Sequence, residues 1–60
     1  MKVLKDIKIA KGIVIKKGAD VEMDGFGDII ITRGKELYIW NLNTYEIINK
    51  VRKQHNLKPL

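Results

Sequence analysis

Apolar residues recur at strand spacing in several short stretches of the first forty positions of this chain, and then the period changes. Residues 2–9 alternate loosely, with Val3, Lys5, Ile7 and Ile9 on one face. Ala10-Lys11-Gly12 suits a three-residue hairpin loop with glycine in the left-handed position, after which Ile13 and Ile15 resume the apolar face. Lys16-Lys17-Gly18 offers a second turn of the same kind. Ala19, Val21 and Met23 then alternate with Asp20, Glu22 and Asp24, the signature of a half-buried strand. Facing Met23 with Ile29 and Val21 with Ile31 leaves Asp24 to Asp28 as the connecting loop, polar or glycine throughout except for Phe26. The next turn is chosen by pairing. With Gly34-Lys35 at its centre, Arg33 faces Glu36, Ile31 faces Tyr38 and Ile29 faces Trp40. That register matches opposite charges, sets aromatics against β-branched residues, and puts glycine first, as a type II′ turn requires.

After Leu42 the spacing becomes helical. Asn43 is a good N-cap, Glu46 completes a capping box, and Leu42 with Ile47 makes a hydrophobic staple. Ile47, Ile48, Val51 and His55 recur on one side, with Asn49, Lys50, Arg52 and Lys53 opposite, so a helix is expected over residues 44–54. Asn56 and Pro59 mark its exit, and His55 near its C-terminus interacts favourably with the helix dipole. The expected fold is therefore mainly β, of α+β class. Strands at about 2–9, 13–16, 19–23, 29–33 and 36–41 form a five-stranded antiparallel meander, curled into a small barrel and closed by the helix. The face turned inward carries Ile7, Ile9, Ile13, Ile15, Val21, Met23, Ile29, Ile31, Tyr38 and Trp40.

At 60 residues the chain makes one small domain, near the lower limit for a self-sufficient core. Cysteine and serine are absent and His55 is the sole histidine, which removes disulfides, catalytic triads, thiol nucleophiles and multi-histidine metal sites. The expected protein is not an enzyme and carries no cofactor. No apolar run approaches membrane-spanning length and the N-terminus lacks a signal-peptide core, so the expected setting is the cytoplasm, with no membrane partner. Abundant lysine and isoleucine suggest an AT-rich genome.

The net charge of +5 is unevenly placed. Residues 1–18 carry six lysines against Asp6 alone, residues 19–31 carry four acids and no base, and the balance turns positive again from Thr32 onward. The acidic stretch DVEMDGFGD has the look of a calcium loop, with Asp20, Glu22, Asp24 and Asp28 as oxygen ligands and Gly25 at the turn. Ile31 stands where that loop needs its bidentate glutamate, and the preceding IAKGIVIKKGA is a poor helix former. The stretch reads as a hairpin, and no metal site is expected.

IKKGADVEM, a glycine-bearing loop, IIITRGKELYIW and a short closing element together resemble the small SH3-like barrels of bacteria and phages, over roughly residues 12–42. The acidic-aromatic signature of the eukaryotic members is missing, so the resemblance does not imply recognition of proline-rich peptides. The layout is also similar to the small basic chromatin proteins of thermophilic archaea, which join a barrel to a C-terminal helix and bind duplex DNA. Length, charge and element order carry that similarity. KKGADVEM with IIIT also resembles the second half of swapped-hairpin transcription regulators, without their intervening helix.

Two classes of function follow. In the first the chain binds nucleic acid. Lys5, Lys8, Lys16, Arg33, Lys35, Lys50 and Lys53 would hold phosphates, and Tyr38, with Trp40 beside it, would offer a stacking surface. Trp40 reads rather as one of the largest pieces of a small core, and Tyr38, whose hydroxyl can reach solvent, as either core or surface. In the second class the chain binds a protein, as a phage-encoded modulator of a host protein would, or forms a homodimer. Phe26 at a loop tip, and Ile30, Leu37 and Ile39 on the strand face opposite the main core, would make that contact unless the helix covers them. Charge favours nucleic acid.

Overall fold

The computed structural model describes residues 1–60. Five antiparallel strands lie in two sheets, followed by one C-terminal helix. β1 (Ile7–Ala10) pairs with β2 (Ile13–Ile15), while β3 (Asp20–Met23), β4 (Ile29–Arg33) and β5 (Glu36–Trp40) form a three-stranded sheet in that order. α1 spans Thr44–Gln54. In the larger sheet Val21 faces Ile31 and Met23 faces Ile29, and across β4–β5 Ile29 faces Trp40, Ile31 faces Tyr38 and Arg33 faces Glu36. This is the register read from the hydrophobic pattern. Gly34 at φ 61° supplies the positive φ of the β4–β5 turn, and Gly12 at φ 77° does the same for the β1–β2 hairpin.

The single meander is not formed. The stretch expected as one strand over residues 2–9 is divided, with a bend at Leu4–Lys5. Its first part lies along the outer edge of β3, where Lys2 bridges Asp20, the Val3 N–H donates to the Ala19 carbonyl and the Val21 N–H to the Met1 carbonyl, both at 2.8 Å. That edge is the one β2 would have needed, so β2 and β3 are not paired and no closed barrel is found. The turn before β3 is held instead by Asp6, whose Oδ1 accepts the Lys17 N–H at 2.7 Å. At the bend, Gln54 at the end of α1 replaces the lost strand partners. Its Oε1 accepts the Leu4 N–H at 2.8 Å and its Nε2 donates to the Lys5 carbonyl at 2.8 Å. The His55 Nε2 lies 2.6 Å from the Lys2 carbonyl, which can only accept, so this nitrogen carries the proton.

The core joins Val3, Ile7, Ile15, Ala19, Val21 and Ile29 to Ile47, Ile48 and Val51 of the helix. The helix thus closes on the inner face of the sheet. Of the residues expected inside, Ile9, Met23, Ile31 and Trp40 are half-buried against this core, whereas Ile13 and Tyr38 are exposed. They lie beside a groove between the two sheets, where barrel closure would have covered them.

The helix start differs from its expected chemistry. Asn43 is the N-cap residue but sits in the left-handed region (φ 52°, ψ 39°) and makes no side-chain capping bond. Leu42 is exposed, so the staple to Ile47 is absent. The chain turns sharply here because the Trp40 indole N–H donates to the Leu42 carbonyl at 2.6 Å. Asparagine is favoured at Asn43 for its tolerance of positive φ. Asn43→Ser, which keeps capping ability, is therefore expected to cost about 1 kcal/mol, and Asn43→Gly to cost little. Urea denaturation of the two variants checks this, and equal stabilities would contradict it. The helix end is a Schellman motif, with Leu57 N–H to the Arg52 carbonyl at 2.9 Å, Asn56 N–H to the Lys53 carbonyl at 3.1 Å, and Asn56 at φ 59°.

Candidate nucleic-acid interface

Burial of Ile47 and Val51 fixes the rotation of α1, and that rotation sets its lysines. Lys50 and Lys53 are three residues apart and share a face. Ile7 enters the same core from β1, which brings Lys8 beside them, and the three lysines line one shallow depression with Asp6, Ile7 and Gln54. Lys5 adjoins it through the hydrogen bond from Gln54 to its carbonyl. Lys8 from β1 and Lys50 and Lys53 from the helix, far apart in sequence, thus converge on one surface, with the Lys5 backbone at its margin.

A second basic group lies elsewhere. Lys16, Arg33, Glu36 and Tyr38 line the groove between the sheets, a space of about 550 Å³ whose remaining walls are mostly apolar, among them Ile9, Ile13 and Trp40. Tyr38 is 55% exposed, and its hydroxyl donates to the Glu36 carboxylate. That hydrogen bond holds the phenol above its usual pKa. Its ring is open to a stacking partner, while the Trp40 ring is half-buried and its N–H is already used. Lys35 stands at the tip of the β4–β5 turn and belongs to neither group.

Asp6 has a part that the lysine pattern alone hides. The Lys17 backbone N–H, more than any other neighbour, holds its carboxyl below the usual carboxylate range, and Lys16 Nζ at 3.7 Å adds to this. Asp6 therefore stays ionised between the two basic groups and offsets part of their field. The signal was present in the sequence as the one acid among six lysines. Lys50 also meets Glu46 at 3.7 Å, a long and exposed pair worth little.

The acidic hairpin is occupied by the protein's own donors. Asp24 Oδ1 accepts the N–H groups of Phe26 and Asp28, each at 2.9 Å, which shapes the loop. The Met1 ammonium donates to Asp20 at 2.8 Å and to Glu22. Partial desolvation is the largest single influence on the amine and lowers its pKa, but the hydrogen bonds and charges of Asp20 and Glu22 together outweigh it, so the pKa rises. The bond from the amine draws that of Asp20 down. The acids thus serve local structure, and no three of the side chains that bind metals come together.

Phe26 is 93% exposed at the loop tip and does not fold back on the core. On the outer face of the sheet Ile30 lies directly across from Ile39, and Leu37 and Ile39 are 59% and 66% exposed. The helix leaves this face uncovered. No helix is long and apolar enough to cross a membrane. No protein-family model, curated protein or solved structure matches the chain.

Proposed function

We propose that this protein is a small non-enzymatic binding module that docks nucleic-acid phosphates on the face formed by Lys5, Lys8, Lys50 and Lys53. One observation carries the reading, namely the convergence of Lys8 from β1 with Lys50 and Lys53 from α1 on a single depression. Surface lysines scattered over a protein are ordinary, whereas lysines gathered from distant segments make a continuous field for a phosphate backbone. Lys16, Arg33 and Tyr38 give the groove the means to hold an unstacked base beside a phosphate, which extends the reading to single strands. The SH3-like resemblance over residues 12–42 belongs to the same proposal, with the hairpin and the sheet as two halves of a barrel left open at the groove. A cytoplasmic setting belongs to it as well.

Fluorescence anisotropy with labelled duplex and single-stranded oligonucleotides tests this. Non-specific binding in the range of about 1–100 μM at physiological salt is expected. Absence of binding even in low salt would contradict it. The second reading, a protein partner, is supported by the exposed Leu37 and Ile39 beside Ile30 and by Phe26.

A further inference from the structure

All sheet edges but one are protected. Residues 1–3 cover the outer edge of β3. The β1–β2 hairpin has a bulge between Lys8 and Ala10, lysines at 8 and 11, and a second strand of three residues. Charge, bulges and short strands are the usual defences of an exposed edge. β5 has one of them, the charge of Glu36 at its first residue, and no other. Its five residues, ELYIW, pair with β4 without a bulge and contain neither lysine nor proline.

The ladder determines which backbone groups this edge presents. The Asp24 N–H donates to the Asp28 carbonyl, so the pairs that exchange bonds between β3 and β4 continue as Glu22 with Ile30 and Asp20 with Thr32. Ile29, Ile31 and Arg33 therefore bond towards β5, where Trp40, Tyr38 and Glu36 face them. Leu37 and Ile39 are left with N–H and C=O groups pointing outward. Their side chains are also the exposed apolar pair of the outer face.

We infer that β5 pairs antiparallel with β5 of a second copy of this chain, about a twofold axis at Tyr38. That register overlaps the whole strand with itself. Leu37 faces Ile39 of the partner subunit in a hydrogen-bonded pair, and the reverse pair completes the set. Glu36 faces Trp40 of the partner subunit, so no like charges oppose one another. Tyr38 faces Tyr38 of the partner subunit in a position without backbone bonds. The joined sheet brings Leu37 and Ile39 of both copies together on its outer face, beside Ile30. Because each copy has a single edge this lightly defended, association stops at the dimer. The inference gives the protein-partner reading its occupant, and it stands whether or not the basic face binds nucleic acid.

Sedimentation equilibrium without nucleic acid, from micromolar to millimolar protein, reads the oligomer directly. A concentration-dependent rise to twice the chain mass of 6.9 kDa is expected. Ile39→Lys should return the mass to that of one chain with an unchanged circular dichroism spectrum. Leu37→Pro should do the same, since it removes an N–H that only the second copy uses. The chain has no cysteine, so Tyr38→Cys gives a clean cross-linking probe. Residues opposed without backbone bonds have Cα atoms about 4.5 Å apart, within disulfide reach. Tyr38→Cys should therefore oxidise to a covalent dimer many times faster than Phe26→Cys, which lies at a distant loop tip. A wild-type chain that stays monomeric at millimolar concentration would overturn the inference, even if it captured extended peptides. So would a dimer that survives both edge variants, or equal cross-linking at the two positions.

Discussion

Replacing Ile29 by Ala is expected to leave the protein largely unfolded at room temperature. Ile29 is completely buried, between Met23 on β3 and Trp40 on β5, and belongs to the cluster that includes Ile47, Ile48 and Val51. Truncating a buried isoleucine costs about 2–5 kcal/mol, because the lost contacts are only partly regained by relaxation. A core of this size supplies a total of about 3–5 kcal/mol, so one such cavity consumes most of the margin. The exposed Leu42 gives the contrast. Leu42→Ala should change stability by no more than about 0.5 kcal/mol. Urea titration followed by tryptophan fluorescence compares the two, since the one indole is packed against the core. An Ile29→Ala variant as stable as the wild type would mean that the helix does not close on this face.

Gly34→Val is expected to be the next most damaging change. Nothing lies within 4 Å of a side chain added at Gly34, so the penalty is not a clash with neighbours. It comes from φ 61° at the first central position of the turn, which a β-branched L-residue adopts only with strain. Such strain costs about 1–3 kcal/mol, and the β4–β5 register depends on this turn. D-alanine favours positive φ, and in a chemically synthesised chain it should preserve or raise stability at the same position. If Gly34→Val and the D-alanine chain unfold at the same urea concentration, the turn does not have this conformation.

The sheet of β3, β4 and β5 was legible because two independent signals agreed. Alternation fixed the faces of Val21 and Met23, pairing them with Ile31 and Ile29 oriented the all-isoleucine run of β4, and the Gly34 turn fixed the register of Tyr38 and Trp40. The division of the first strand was not legible. Residues 2–9 carry the same alternation whether they serve one sheet or two, and only competition for the edge of β3 decides between them. Asn43 shows a different limit. Its position at the head of the helix was readable, but its left-handed backbone depends on the path of the chain from Trp40. The lysines of the candidate interface could each be named from charge alone. Their convergence could not, because it depends on which side of α1 enters the core. The exposure of Leu37 and Ile39 depends on the same docking. A sequence places residues on the faces of its elements, and the packing of those elements decides which faces meet.

The proposed function is tested most directly by the salt dependence of duplex DNA binding in the wild type and in the combined Lys8→Gln, Lys50→Gln, Lys53→Gln variant. With Lys5, Lys8, Lys50 and Lys53 each on a phosphate, log affinity should fall linearly with log salt with a slope of about −3.6, from about −0.9 per contact. The variant should bind more weakly and lose about 2.7 of that slope, whatever the DNA sequence, while its urea denaturation midpoint stays near that of the wild type. An affinity and slope unchanged by the three substitutions would contradict phosphate docking on this face.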